Sequence, residues 1–524
     1  MKTRKRFDVC LLGLAALALT LPFIVANADV SPATPIHVTP PAPVFDDAKR
    51  LEELAARRKQ VADAIGPKAM LVMFSAEPRV YTNDVDFPFR QENNHFYLTN
   101  LNQKGAMLVM MPGTALPEIL FLPRRNAPAE TWTGHMYSAE EAARLSGIRE
   151  IWTISEFEPF MKAVRNKASY SPSAENVLLT SRTAPLSGNE LSPWFKAIES
   201  QEASLCLVAV PERGESKEYR QEQRFANDWR TVPGVTLKAI APIFAAMRAK
   251  KSTMELALLQ HAIDISIEAH ERAWIAAANA KWEYEIDSEV ARIFKLRNAD
   301  NWGYPDIVGC GANATTLHYE ESQSPCKPGD LLLMDVGAEY GHYSADVTRT
   351  TPVSGKFSPA QAAIYQIVYD AQEAAANAAK PGGNLSDAHR ASLEVIKAGL
   401  LKLGLITDAE SDQYRMWFMH GNGHWLGMNV HDVSAGGRFE PGMTFTNEPG
   451  IYIRPDALDN LPKTTQNERL IAAIKPAFEK YKGIGVRIED DMLITPEGVK
   501  WMTAALPRSI ADIEAFIAKA RAQR

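Results

Sequence analysis

The chain has 524 residues, 46% of them hydrophobic and 23% charged, with a formal net charge of −6. That length exceeds one typical domain and is enough for two, each with its own core. The acidic balance offers no basic field of the kind that holds nucleic acid, so no nucleic-acid partner is expected.

The N-terminus comes first in chain order. Lys2, Arg4, Lys5 and Arg6 precede an apolar run from Val9 to Ala26, which ends in Ala26-Asn27-Ala28. This order of basic, apolar and small-x-small segments is that of a secretory signal peptide, residues 1–28. Cleavage before Asp29 is expected, giving an exported protein, periplasmic or secreted, with no stable membrane anchor. An uncleaved anchor is the alternative, because the run is just long enough to span a bilayer; Pro22 and the Ala-x-Ala site favour cleavage. The basic residues against Asp8 put +3 on the signal and leave −9 on the remainder. Four cysteines, Cys10, Cys206, Cys310 and Cys326, become three after cleavage, which is no disulfide framework. Cys310 and Cys326 are expected as buried free thiols, with a bridge between them as the alternative.

Residues 29–45 form a Pro-rich linker, with five prolines in 31–45, and read as an extended, solvated spacer. A helix is expected from about Asp46, with Leu51, Leu54, Val61 and Ile65 on one face. Short apolar runs follow at Met70–Phe74, Met107–Met111, Ile119–Leu122, Val177–Leu179 and Leu205–Val210, several separated by helical patterns. This predicts an α/β domain over 46–245. A second unit, 246–524, opens on Ser252-Thr253-Met254-Glu255, a capping box in which hydroxyl and carboxylate satisfy each other's free amides. Leu256, Leu259, Ile263 and Ile267 then mark one helix face.

The chemistry lies in this second unit. Asp335, Asp346, His424, Glu448 and Glu489 each sit in an apolar or Gly-flanked context. Four carboxylates and one imidazole suit a pocket for two divalent metals, of manganese-like character. Leu331–Met334 reads as a buried strand, and a hairpin turning at Tyr340-Gly341 sets Asp335 directly opposite Asp346. Facing carboxylates repel unless a cation lies between them; two solvated aspartates on an exposed hairpin are the alternative. His424 lies between Gly421-Asn422-Gly423 and Trp425-Leu426-Gly427, where glycine permits close backbone approach. Glu448 precedes Pro449-Gly450. Alternation puts Arg487 and Glu489 on one strand face and Val486 and Ile488 on the other. Each motif alone also fits a structural role, a core histidine or a surface ion pair; their joint occurrence in this order favours the metal site.

With these residues the chain from Ser252 onward resembles the pita-bread metallopeptidases, whose ligand order is Asp, Asp, His, Glu, Glu. The patterns HxxxHWLGxxVHDV, EPGxYI and GxRIEDDxLIT are most similar to aminopeptidase P and prolidase, and PFRQENNHFYLTN resembles the aminopeptidase P N-terminal domain. Creatinases on this fold lack the full metal set, and methionine aminopeptidases lack the first domain. The resemblance implies an α/β N-terminal domain followed by an α+β pita-bread catalytic domain. It implies a dinuclear exopeptidase, with Mn2+ as the expected metal, that removes the N-terminal residue from peptides with proline second. Asp335, Asp346, His424, Glu448 and Glu489 would be the ligands, with Glu448 also the general base. His318 and His431 would donate hydrogen bonds to the substrate, His420 and Arg487 would orient ligands, and Tyr452 would line the cleft. A homo-oligomer, dimer or tetramer, is implied, with Asp84 reaching toward a neighbouring site. The alternatives are a prolidase restricted to dipeptides and a non-catalytic binding protein. Two segments depart from the family: the connection Ser434–Arg438 is short, and Arg454–Tyr481 carries extra residues near the cleft.

Overall fold

A computed structural model describes residues 36–210, 218–434 and 436–522. The expected signal peptide and residues 29–35 of the linker lie outside the described residues. The rest of the Pro-rich stretch is not a fully solvated spacer. Thr39 is buried, and its backbone N and Oγ1 donate to Glu268 Oε2 at 2.9 and 2.7 Å, so the segment lies on the long helix Thr253–Ala277. Among the described residues no helix is long and apolar enough to cross a membrane.

Asp46 caps the first helix, Asp47–Ile65, by accepting from Lys49 N at 3.0 Å. Each predicted apolar run of the first unit becomes a strand of one seven-stranded mixed sheet. Its order is 177–179, 151–153, 118–122, 107–110, 69–73, 203–207, 235–239. The interior strand Ala69–Met73 is buried throughout because helices cover both faces. Leu71 and Met73 join a core with Val61, Tyr97 and Leu98, while Met70 and Val72 join one with Trp152, Phe160 and Trp194. A strand buried on both sides reads as a continuous apolar run, as this one does. Two strands of the sheet lie outside the predicted runs. Ile151–Thr153 is three residues long, and Val235–Ala239 is a half-exposed edge.

The second unit opens as expected: Ser252 and Glu255 form the capping box of helix Thr253–Ala277, and Leu259, Ile263 and Ile267 are fully buried. Helices from 253 onward surround small antiparallel sheets. One joins 307–310, 331–335 and 348–352; another joins 444–447, 490–495 and 498–501; a third joins 450–452 and 485–487. The inserted residues form the connection of this third pair and fold as helix Thr465–Tyr481. Its Ile474, Phe478 and Tyr481 are buried, Phe478 against Trp417.

Two expectations are corrected here. The hairpin turns at Gly341-His342, not Tyr340-Gly341. Both residues have positive φ, 58° and 68°, the backbone of a tight two-residue hairpin turn. The register therefore moves by two, and Asp335 faces Thr348 rather than Asp346. A shift of two preserves the side-chain face, so both aspartates still point the same way. Cys310 and Cys326, expected as free thiols, form a disulfide with Cα atoms 5.3 Å apart; Cys206 is free and buried.

Candidate active site

The five candidate ligands come from three separate pieces of backbone. Asp335 ends the strand Leu331–Asp335, and Asp346 lies just before Thr348–Pro352. His424 is brought in by pairing of its segment against strand Thr444–Asn447: Thr446 N donates to His424 O and Glu448 N to Asn422 O, both at 2.9 Å. A Cβ on Gly423 would stand 1.9 Å from Thr446 O, so only glycine allows this approach. Glu489 N donates to Thr348 O at 3.0 Å, which docks the third piece against the first.

These contacts converge the side chains. His424 Nε2 lies 3.2 Å from Asp346 Oδ2 and 3.4 Å from Glu448 Oε1. Ligand atoms of Asp346, His424 and Glu489 all fall within 4.8 Å of one another. Asp335 and Glu448 share the same electrostatic field, each raising the carboxyl pKa of Glu489. His424 Nδ1 lies 3.0 Å from Trp425 O, which places the proton there and leaves Nε2 facing the carboxylates.

A second layer fixes the first. Arg487 Nη2 donates to Asp335 Oδ2 and Tyr304 Oη to Asp335 Oδ1, both at 2.5 Å. Thr348 Oγ1 donates to Glu489 Oε2 at 2.7 Å, and Thr446 Oγ1 to Glu448 Oε1 at 3.1 Å. Arg487 Nη1 also donates to Tyr452 Oη at 3.0 Å, and that hydroxyl lies 2.8 Å from His420 Nε2. His420 Nδ1 is 2.7 Å from Gly421 O, so its proton sits on Nδ1 and the tyrosine hydroxyl donates to Nε2. Tyr452 is fully buried and braces Arg487 and His420 rather than lining an open cleft.

The charge balance favours a cation. Burial pushes the Glu448 carboxyl up to about 7, with Asp346 and Asp335 adding to it. Burial likewise raises Glu489 well above the usual carboxylate range, and Asp346, Glu448 and Asp335 add to it. Asp335 is raised by burial and by Asp346, against Arg487. Burial opposes a charge on His424, yet Asp346 and Glu448 bring its imidazole to about 9. Three buried carboxylates and the half-buried Glu448, with one permanent cation among them, carry a Coulomb penalty that a divalent metal removes. The oxygen-rich donor set with a single imidazole Nε2 fits such an ion.

His318 and His431 are exposed beside the cluster. The His431 ring centroid is 4.0 Å from that of His424, and burial with the nearby His424 lowers its pKa. His420 falls to about 4 through burial and Arg487. Asp84 lies at the tip of an exposed hairpin, Val80–Asp86, away from this cluster's contacts.

Several contributing residues were not anticipated. Asp491 Oδ2 accepts from Asp346 N at 3.2 Å, and its Oδ1 is buried with no partner. Its signal was the doubled Asp490-Asp491 after Glu489. Thr348 stands two residues after Asp346, where alternation puts it on the same face. Tyr304 has no comparable signal, since it reaches Asp335 only through tertiary folding.

Comparison with known proteins places this geometry. The profile of metallopeptidase family M24 matches residues 257–496, and that of the aminopeptidase P N-terminal domain matches residues 54–171. A Xaa-Pro aminopeptidase of Haemophilus influenzae is 34% identical over 474 residues, covering 88% of this chain and 96% of the relative. One from Escherichia coli is 31% identical over 484 residues, covering 90% and 99%. The solved aminopeptidase PepP of Pseudomonas aeruginosa superposes with a TM-score of 0.74 at 29% identity, covering 90% of this chain and 99% of that one. A zinc-substituted E. coli aminopeptidase P in complex with product gives 0.73 at 28% identity, with the same coverage.

Proposed function

The chain belongs to metallopeptidase family M24 and is a metalloaminopeptidase; from that premise we propose that it removes the N-terminal residue from peptides with proline second, using two divalent metals. The observation that carries this reading is the coincidence of the buried carboxylate–imidazole cluster with similarity to Xaa-Pro aminopeptidases across both domains. Asp335, Asp346, His424, Glu448 and Glu489 would hold the metals. Mn2+ suits a set of four carboxylates and one imidazole, and a bound divalent ion supplies a Lewis acid and an acidified water at neutral pH.

The protein's own groups divide the remaining tasks. Glu448, beside His424 at the edge of the cluster, would take a proton from the attacking water and return it to the leaving nitrogen. His318 and His431, exposed on the open side, donate to the scissile carbonyl and the peptide, where fixed donors favour the developing oxyanion. Arg487 and Tyr304 hold Asp335; Tyr452 holds Arg487 and is held in turn by His420, whose Nδ1 lies 3.7 Å from Glu448 Oε2. These restraints keep the ligand carboxylates from relaxing apart.

Proline at the second position has no N–H and a fixed φ, so its bond needs a dedicated pocket. A panel of Xaa-Pro, Xaa-Pro-Yaa-Zaa and Xaa-Ala-Yaa-Zaa peptides, with Mn, Co or Zn added, tests the substrate. Cleavage of Xaa-Pro-Yaa-Zaa but not of Xaa-Ala-Yaa-Zaa is expected. Cleavage of the dipeptide alone would make the protein a prolidase. The mature protein is exported and starts at Asp29, on the strength of the basic–apolar–Ala-x-Ala order; Met1 found by N-terminal sequencing of the exported protein would overturn this. It acts as a homo-oligomer, with the exposed Tyr81 and Phe87 of the Val80–Asp86 hairpin region as contact surface. A monomer by light scattering would reject that.

A further inference from the structure

The segment Pro88–Asn100 contributes nothing directly to the carboxylate cluster, yet Gln91, Asn93, Asn94, His95 and Thr99 are buried and Arg90 is only partly exposed. They grip the catalytic unit. Arg90 Nη2 and Asn93 Nδ2 both donate to Met428 O, at 2.9 and 3.2 Å, and Asn93 Nδ2 also reaches Asn429 Oδ1 at 3.0 Å. Asn94 Oδ1 accepts from Arg248 Nη1 at 2.9 Å. The other arm of that guanidinium donates to Asn429 Oδ1 at 2.7 Å and to Asp432 Oδ1 at 2.5 Å. Lys251 Nζ approaches Asp432 Oδ2 at 3.4 Å. Arg248 and the Asp432 side chain are almost completely buried, so these are desolvated, charge-assisted bonds. The same segment touches the ligand-bearing hairpin. Arg90 Nε donates to Glu339, and Phe96 stacks on His342 at 3.7 Å and 15°.

The gripped loop is residues 428–432, and it carries His431. That imidazole is exposed, with the His424 ring beside it at 4.0 Å, so its position is set mainly by its backbone. An exposed donor is only as well placed as the backbone beneath it, and a displacement of about 1 Å can cost on the order of 10²-fold in rate. We propose that Arg90, Asn93 and Asn94 of the N-terminal domain, acting with Arg248, are positioning residues for catalysis, holding loop 428–432 so that His431 meets the substrate. This rests on the reading of His431 as a substrate-facing donor. It gives the N-terminal domain a part in each catalytic unit's own chemistry.

The test is a double-mutant cycle in the full-length, metal-loaded enzyme. Asn93→Ala, and separately Arg90→Gln, should lower kcat on the order of tenfold. KM should stay within about twofold and metal content should be unchanged, because the lost interaction belongs to the transition state. The same substitutions made on His431→Ala should cost nothing more, since the residue they position is gone. Arg90 is one-third exposed, so Arg90→Gln keeps the test open if Asn93→Ala fails to fold. Losses that multiply in the His431→Ala background would overturn the proposal, as would metal lost in step with activity. Full activity in His431→Ala alone would instead remove the underlying reading of His431.

Discussion

Arg487 Nη2 donates to Asp335 Oδ2 at 2.5 Å, which builds a permanent cation into a cluster of three buried carboxylates and the half-buried Glu448. The Arg487 guanidinium and the His424 imidazole together do not balance four carboxylates, and the remaining repulsion is what a metal relieves. Asp346→Asn removes one negative charge and one ligand together. The metal-free variant should melt higher than metal-free wild type, while bound metal per chain falls. Calorimetry with metal analysis checks both; unchanged stoichiometry would refute the assigned site.

His318 shares no ligand contact with the cluster. His318→Ala should therefore keep its metals and still lose roughly 10²-fold in turnover if the imidazole is an oxyanion donor. Metal analysis beside single-turnover kinetics separates the two effects. Loss of metal would assign His318 to the ligand set.

Gly423 is the residue whose missing Cβ lets His424 reach the cluster, with Thr446 O where that carbon would be. Gly423→Ala should push the two backbones apart, at a cost of about 1–3 kcal/mol in stability. Metal affinity should fall with it because His424 moves. A melt and a metal titration read the two losses; an unchanged titration would show that the pairing does not place His424.

Two histidines away from the ligand set make stability depend on pH. Burial drives His95 down to about 4 and His270 to about 3, from 6.5. Both are neutral in the folded protein and become protonated on unfolding once the pH falls below 6.5. The unfolded state then binds more protons, so stability is lost as the pH drops through that value. His270→Gln can keep the donation to Val347 O, which His270 Nε2 makes at 2.9 Å. Between pH 6.5 and 5 the variant should lose less stability than wild type, by about 1 kcal/mol per pH unit. Urea unfolding at several pH values and fixed metal measures the difference; parallel curves would contradict it.

How far the fold could be read from sequence varied with the physics of each element. Strands Ala69–Met73 and Glu118–Leu122 were plain because burial on both faces leaves an apolar run. The capping box at Ser252 was plain because it is local chemistry. The hairpin register is ambiguous in sequence because Tyr340-Gly341 and Gly341-His342 both contain the glycine. The latter requires a histidine at φ 68°, which residue type alone does not announce. Asp335, Asp346, His424, Glu448 and Glu489 were legible through motif context. Tyr304, Asn93 and Arg248 were not, because their partners lie tens to hundreds of residues away and no periodicity links them.

The disulfide has a consequence for where the protein can mature. Cys310 and Cys326 fasten the two ends of the loop that carries His318. Inside that loop Asn313 Nδ2, Tyr319 Oη and Ser324 N all converge on the fully buried Glu283 carboxylate, at 2.9, 2.8 and 2.8 Å. Chains made where thiols stay reduced would keep these hydrogen bonds but lose the covalent clasp, and such loops open more readily. The same polypeptide should then gain turnover per bound metal when oxidised after purification, and Cys326→Ser should not. For this protein, the redox state of the compartment in which it folds becomes a determinant of how well its substrate-facing histidine is held.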